Sequence, residues 1–171
     1  MRDYMIAERE VTIQHEAAHI VAALYCGIGV LRASIEKAPD GHPEGVTMAP
    51  AGHEPQTKYS WCIFYRFPYH WEMEALRRNV DVAELSCRID FESFDKVAGT
   101  LWDGDIERIK RDIEDDCRRI LKQALVTRAI GIFAAALRQK SVLEQNEIYR
   151  LWKSSGEGDG APELQGPPAG V

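Results

Sequence analysis

Residues 12–24 read T-I-Q-H-E-A-A-H-I-V-A-A-L, and the rest of the chain is interpreted outward from this stretch. It lies within residues 8–26, which are apolar over most of the circumference of a helix. Residues four positions apart lie on the same face of a helix, so His15 and His19 would present both imidazoles to one ion. Glu16 is one residue along, where a general base can reach a water on that ion. The pattern H-E-x-x-H therefore predicts a zinc site on a helix.

The alternative is a pair of exposed histidines that flank a solvated glutamate. The apolar flanks of the motif favour the metal site, because they predict that the helix is buried. A buried helix must satisfy the polar groups of His15, Glu16 and His19, and a bound metal ion does this for all three.

Composition limits the function classes that remain. The chain has 171 residues and a net charge of -6, which argues against nucleic acid or an anionic membrane surface as a partner. Its four cysteines are far apart and form no C-x-x-C pair, as expected for reduced thiols in the cytoplasm. We find no apolar run of membrane-spanning length and no signal-peptide pattern. We expect a soluble cytoplasmic protein that acts on neither membrane nor nucleic acid.

The remaining pattern predicts a mainly α fold with a small β-hairpin or sheet, an α+β domain over residues 1–153. Residues 154–171 are rich in glycine and proline and are expected to be disordered. The predicted elements are strands at 30–36 and 45–49, and helices at 8–26, 72–94, 103–125, 127–139 and 145–153.

Two segments carry alternatives that the sequence leaves open. The second strand, with Gly45, Val46, Thr47 and Met48, either binds an extended peptide by main-chain hydrogen bonds or only covers the metal helix. The aromatic segment 59–71 is interpreted as core packing, and the alternative is a substrate groove or a subunit contact.

A catalytic zinc ion takes three protein ligands, so a third must come from elsewhere in the chain. Each histidine candidate also has a simpler interpretation. His42 and His53 would be exposed loop residues, and His70 would be a packed ring in the aromatic segment. The carboxylates Asp103 and Asp105 precede a helix, where either can serve as the N-cap. Spacing alone does not choose among these candidates, which are His42, His53, His70, Asp103 and Asp105.

The motif stretch, followed by a strand and by G-V-T-M-A-P at residues 45–50, resembles the peptidase domain of the FtsH family of ATP-dependent zinc metalloproteases. In that family an aspartate in G-A-S-N-D-L is the third zinc ligand. L-W-D-G-D-I at residues 101–106 corresponds to it, so the resemblance implies Asp105 as the ligand, with Asp103 as the neighbouring alternative. The resemblance covers about residues 6–153.

The chain also departs from the family. Ala18 replaces the glycine of H-E-A-G-H, residues 86–91 keep little of the G-G-R-A-A-E segment, and the ATPase domain and membrane segment are absent from these 171 residues. The resemblance thus implies an ATP-independent zinc metalloendopeptidase that hydrolyses peptides or unfolded protein segments. His15, His19 and Asp105 would hold Zn²⁺, and Glu16 would be the general base.

The resemblance bears on partners as well. Folded substrates would require a separate ATPase partner, and the hexameric rings of the family imply a homo-oligomer. The alternative from another class is a non-catalytic, zincin-like metal-binding module with a regulatory or interaction role.

Overall fold

The computed structural model describes residues 2–37, 43–49, 58–100 and 105–156. In these residues helices predominate, with one small antiparallel sheet, which confirms the predicted α+β class. The elements in chain order are α1 (Arg2–Tyr25), β1 (Arg32–Lys37), β2 (Pro43–Met48), α2 (Lys58–Glu74), α3 (Val80–Ser86), α4 (Arg88–Ala98), α5 (Ile106–Leu121), α6 (Ala124–Lys140), β3 (Val142–Glu144) and α7 (Gln145–Ser154).

Helix α1 lies at the centre of the fold and contacts α2, α6 and the sheet. Its side chains from Ile13 onward are almost all buried, as the apolar flanks of the motif predicted. The alanines Ala17, Ala18, Ala22 and Ala23 have no bulk beyond Cβ, so neighbouring elements can approach the helix closely. The histidines of the motif therefore lie on a buried segment of the central helix.

The sheet has the strand order β2-β1-β3, with β1 antiparallel to both neighbours. The predicted hairpin is confirmed by β1 and β2, in which Ile35 pairs with Gly45 and Ala33 with Thr47. The three-residue strand β3 was not predicted, because it is too short to show an alternating pattern. Strand β2 pairs only with β1, so within the described residues its outer edge has no strand partner.

The predicted single helix over residues 72–94 is wrong, because the chain breaks between Glu74 and Val80. Arg77 adopts a positive φ of 52°, and the side chain of Asn79 then caps α3 by accepting a hydrogen bond of 2.9 Å from the Asp81 amide. The chain therefore turns after α2, and α3 and α4 pack against α2.

Among the described residues, no single helix has both the length and the hydropathy needed to cross a membrane. Only α5 and α6 taken together meet these criteria, and an 81° bend separates them. Several predictions lie outside the described residues: the loop histidines His42 and His53, Asp103, and residues 157–171 of the tail predicted over 154–171.

We expect His70 to make the protein less stable in mild acid. Its ring is buried beside Arg66 and Arg118, and burial followed by these charges lowers its pKa from 6.5 to about 3. Between pH 6.5 and pH 3, His70 is therefore protonated in the unfolded chain but neutral in the folded protein. The free energy of unfolding thus falls as the pH drops through this range. From pH 7.5 to pH 5 the loss is about 2 kcal/mol from this group.

His70→Phe should abolish that part of the pH dependence. Denaturant unfolding of the chelator-treated wild type and variant at both pH values measures it. An equal acid-induced loss of stability in the two proteins would contradict this assignment.

Candidate metal centre

Two helices bring three metal-ligand side chains together. His15 and His19 project from α1, and their ring centroids are 4.9 Å apart. Asp90, in the first turn of α4, places Oδ2 3.1 Å from His15 Nε2 and 3.3 Å from His19 Nε2. The three donor atoms all lie within 4.8 Å of one another, and together they can hold a metal ion.

These separations fit one ion. Tetrahedral ligands at about 2.0–2.1 Å from zinc are about 3.3 Å from each other. The two imidazole–carboxylate distances match this spacing. A second group, His15 with Glu72 and Cys87, can also be considered as a metal cluster. There, however, His15 Nδ1 is only 2.7 Å from Glu72 Oε1, which is a hydrogen-bond length and too short for two ligands of one ion.

Glu72 therefore acts on the orientation of His15. Its side chain is fully buried, and its second oxygen accepts hydrogen bonds from Arg78 and, at 3.0 Å, from Ser86 Oγ. Because Arg78 and Ser86 hold Oε2 of Glu72, its Oε1 favours the His15 tautomer in which Nδ1 carries the proton and donates to Oε1. Nε2 then keeps its lone pair for a metal. The pairing of carboxylate and ring is the usual way in which proteins aim a histidine ligand.

The electrostatics of the cluster favour a positive charge. Burial alone lowers the pKa of His15, but its contacts with Asp90, Cys87 and Glu72 outweigh burial and raise that pKa well above its ordinary value. For Asp90, burial acts in the opposite direction and raises the pKa. The contacts with His19 and His15 outweigh burial and hold the pKa of Asp90 well below its usual range. The carboxylates thus favour a cation at the imidazoles, and a metal ion can take the place of the proton.

The second histidine is held by packing. The ring of His19 lies 4.5 Å from that of Phe64, measured between centroids, and is 5% exposed. Its Nδ1 is buried and has no hydrogen-bond partner among the described residues. A metal ligand at Nε2 would leave Nδ1 as an N–H donor, so among the described residues His19 lacks the orienting hydrogen bond that Glu72 gives to His15.

Glu16 is positioned by strand β2. Thr47 donates a hydrogen bond of 2.7 Å from Oγ1 to Glu16 Oε2. A Cβ at position 45 would overlap the carboxylate of Glu16, so Gly45 is required for the close approach of strand and helix. Residues alternate between the faces of a strand, so Gly45 and Thr47 face α1, whereas Val46 and Met48 are exposed. The strand for which the sequence left peptide binding and helix covering open thus orients the predicted base.

The structure does not bring Asp105 to the histidines, contrary to what the resemblance implies. Asp105 is exposed at the start of α5, where its Oδ1 accepts a hydrogen bond of 3.0 Å from the Arg108 amide. It belongs to neither metal-binding group of the described residues. The N-cap alternative considered for this residue is the role that the structure assigns to it. His70 is buried in α2 as a packed ring, as expected.

Sequence reasoning missed Asp90 and Glu72, although a signal for both exists. On α3 and α4 the buried positions include Ala83, Cys87 and Phe94, and Asp90 falls between them at helical spacing. Glu72 likewise ends the buried aromatic face of α2. An acidic residue on the buried face of a helix must have a charged or metal partner, so this pattern indicates a site.

The three donors and Glu16 open into a cavity of about 730 Å³. One wall is β2, another is the start of α4, and the third is an aromatic face of α2 formed by Trp61, Phe64 and Tyr65. The aromatic segment thus serves core packing and, on one side, lines the cavity. Among its described lining residues there are four carboxylates and no lysine or arginine.

No protein-family model matches this sequence, and no curated protein matches it. The geometry of the described side chains is therefore the evidence on which a function can be argued.

Substitution of the two aspartates should separate the competing third ligands. Asp90→Asn removes the anionic oxygen between the imidazoles, so we expect zinc affinity to fall by more than about 100-fold. Asp105→Asn is the matched control, because asparagine caps a helix as well as aspartate and the affinity should not change. Competition with a chromophoric chelator measures both. Zinc loss in Asp105→Asn alone would instead restore the assignment that the resemblance implies.

Proposed function

We propose that this protein is a zinc-dependent peptidase that hydrolyses peptide bonds in peptides or unfolded protein segments without ATP. The observation that carries the proposal is the joint placement of Asp90 Oδ2 against both imidazoles and of Glu16 on the same helix, all facing one cavity. His15, His19 and Asp90 would hold the metal.

A bound zinc ion would supply a Lewis acid and a water activated near neutral pH. The residues of the chain supply the proton transfer. Thr47 donates a hydrogen bond to Oε2 of Glu16 and so orients the carboxylate that would take a proton from the attacking water. The hydroxyl adds to the carbonyl carbon, the C–N bond breaks, and Glu16 returns the proton to the leaving amine. Phe64 and Trp61 exclude bulk water from one side of the reacting groups.

The substrate class follows from the walls of the cavity. An extended chain can add to the outer edge of β2 by main-chain hydrogen bonds, as the sequence suggested for residues 45–48. Only an unfolded or flexible segment presents such a backbone, so a folded substrate would need a separate ATPase partner. A cytoplasmic location agrees with the four free cysteines, which remain thiols in a reducing compartment.

Glu16→Gln tests the proposal directly. The amide keeps the shape of the side chain but cannot take the proton, so hydrolysis should fall by about 10²–10⁴-fold. Zinc content should stay that of the wild type, since Glu16 is not among the donors. Cleavage of a casein-derived peptide mixture, with and without chelator, is the assay. If zinc-loaded wild type cleaves nothing, the non-catalytic metal-binding module becomes the better description.

Gly45→Ala should reduce hydrolysis while the protein stays folded and zinc-loaded. The added methyl group overlaps the Glu16 carboxylate and displaces it from its place beside Thr47. Gly131→Ala is the matched control: it lies in α6, a Cβ there meets nothing within 4 Å, and alanine favours the helix by about 0.5–1 kcal/mol. Equal activity of the two variants would show that the close approach of β2 does not position the base.

A further inference from the structure

An exposed apolar stripe runs along α3 and into the start of α4. It consists of Val82, Leu85 and Ile89, which are 47%, 72% and 72% exposed as whole residues. Their spacing of three and four residues places them on one side of a nearly continuous helical run, because the amides of Cys87 and Phe91 donate i→i−4 hydrogen bonds to Ala83 and Cys87 across the junction. The opposite side of the same run is buried. Large aliphatic side chains gathered in this way indicate a contact surface.

The stripe is continuous with the cavity. Ile89 belongs to both, since it also lines the cavity together with Ser86, Asp90 and Ser93. Asp90, the next residue, contacts the two imidazoles. A polypeptide whose scissile bond lies at these groups, and which leaves the cavity past the start of α4, meets the stripe.

We propose that the Val82–Leu85–Ile89 stripe binds an apolar stretch of the substrate polypeptide next to the bond that is cut. The inference rests on the proposed peptidase function and adds a length and composition requirement to it. From residue 82 to residue 89 a helix rises about 10 Å, which corresponds to about three residues of extended chain. The preferred substrates are therefore unfolded segments with two or three aliphatic side chains within about five residues of the scissile bond, on one side of it.

Peptide binding to zinc-loaded Glu16→Gln protein tests this surface apart from hydrolysis. The probes are fluorescein-labelled short peptides with a central Ala-Phe-Ala sequence, extended at either end by a leucine-rich or a serine-rich stretch of about five residues. Fluorescence anisotropy should show that the leucine-rich extension tightens binding about ten-fold at one end only. Adding Leu85→Ser should remove most of that preference.

Leu125→Ser is the matched control, because Leu125 is an exposed leucine on α6, outside the stripe and the cavity. This variant should keep the preference for leucine. Equal binding of the leucine-rich and serine-rich probes, or a preference that survives Leu85→Ser, would overturn the proposal. So would a change from dimer to monomer on Leu85→Ser in sedimentation, since the stripe would then join two copies of the chain.

The two proposals fail in different ways. If wild-type protein cleaves no probe while the Leu85-dependent preference is observed, the peptidase function is wrong and the polypeptide-binding surface stands. If the probes are cleaved without any preference between the extensions, the surface is wrong and the peptidase function stands.

Discussion

The contact of one carboxylate oxygen with two imidazoles is the interaction on which the candidate site depends. Asp90 Oδ2 lies within 3.3 Å of both His15 and His19. Without it, neither Nε2 atom would have a carboxylate partner among the described residues, and Glu72 would contact His15 through Nδ1 alone. Its position is set by α4, which packs on α2, which in turn packs on α1. The core packing of three helices thus determines the distance between three polar atoms.

Around this contact, each functional group has a partner that restricts it. Glu72 orients the His15 ring by a hydrogen bond, and Phe64 packs against the ring of His19. Thr47 orients the Glu16 carboxylate by a hydrogen bond. These partners come from α2 and β2, so the elements that cover α1 also orient its polar side chains. Preorganisation of this kind lowers the reorganisation needed when charge develops at a site.

The sequence was sufficient wherever the relevant residues lie within a few turns of each other. Helix α1, its two imidazoles and the adjacent glutamate follow from local periodicity, and the hairpin follows from two short strands separated by turn residues. The third candidate ligand, Asp90, could not be predicted from local periodicity. It reaches the site only because the helix breaks at Arg77 and a new helix begins after Asn79. A cap at Asn79 is visible in the sequence, but the direction in which α3 and α4 then travel depends on packing against α2. The resemblance predicted Asp105 as the ligand, because residues 101–106 correspond to the ligand segment of the family. Its position before a helix predicted an N-cap just as strongly, and the N-cap is what the structure shows.

The separation between the candidate donors would link folding to the binding of an ion. His15 and Asp90 are 75 residues apart, so an ion held by both would close a long loop whose entropy is lost on folding. In the unfolded chain Asp90 is not held beside His15 and His19, whereas the native state brings the three side chains together, so an ion held by this set would bind the native state more tightly. Metal uptake and folding are then thermodynamically linked, and scarcity of the ion would lower the fraction of molecules that are native.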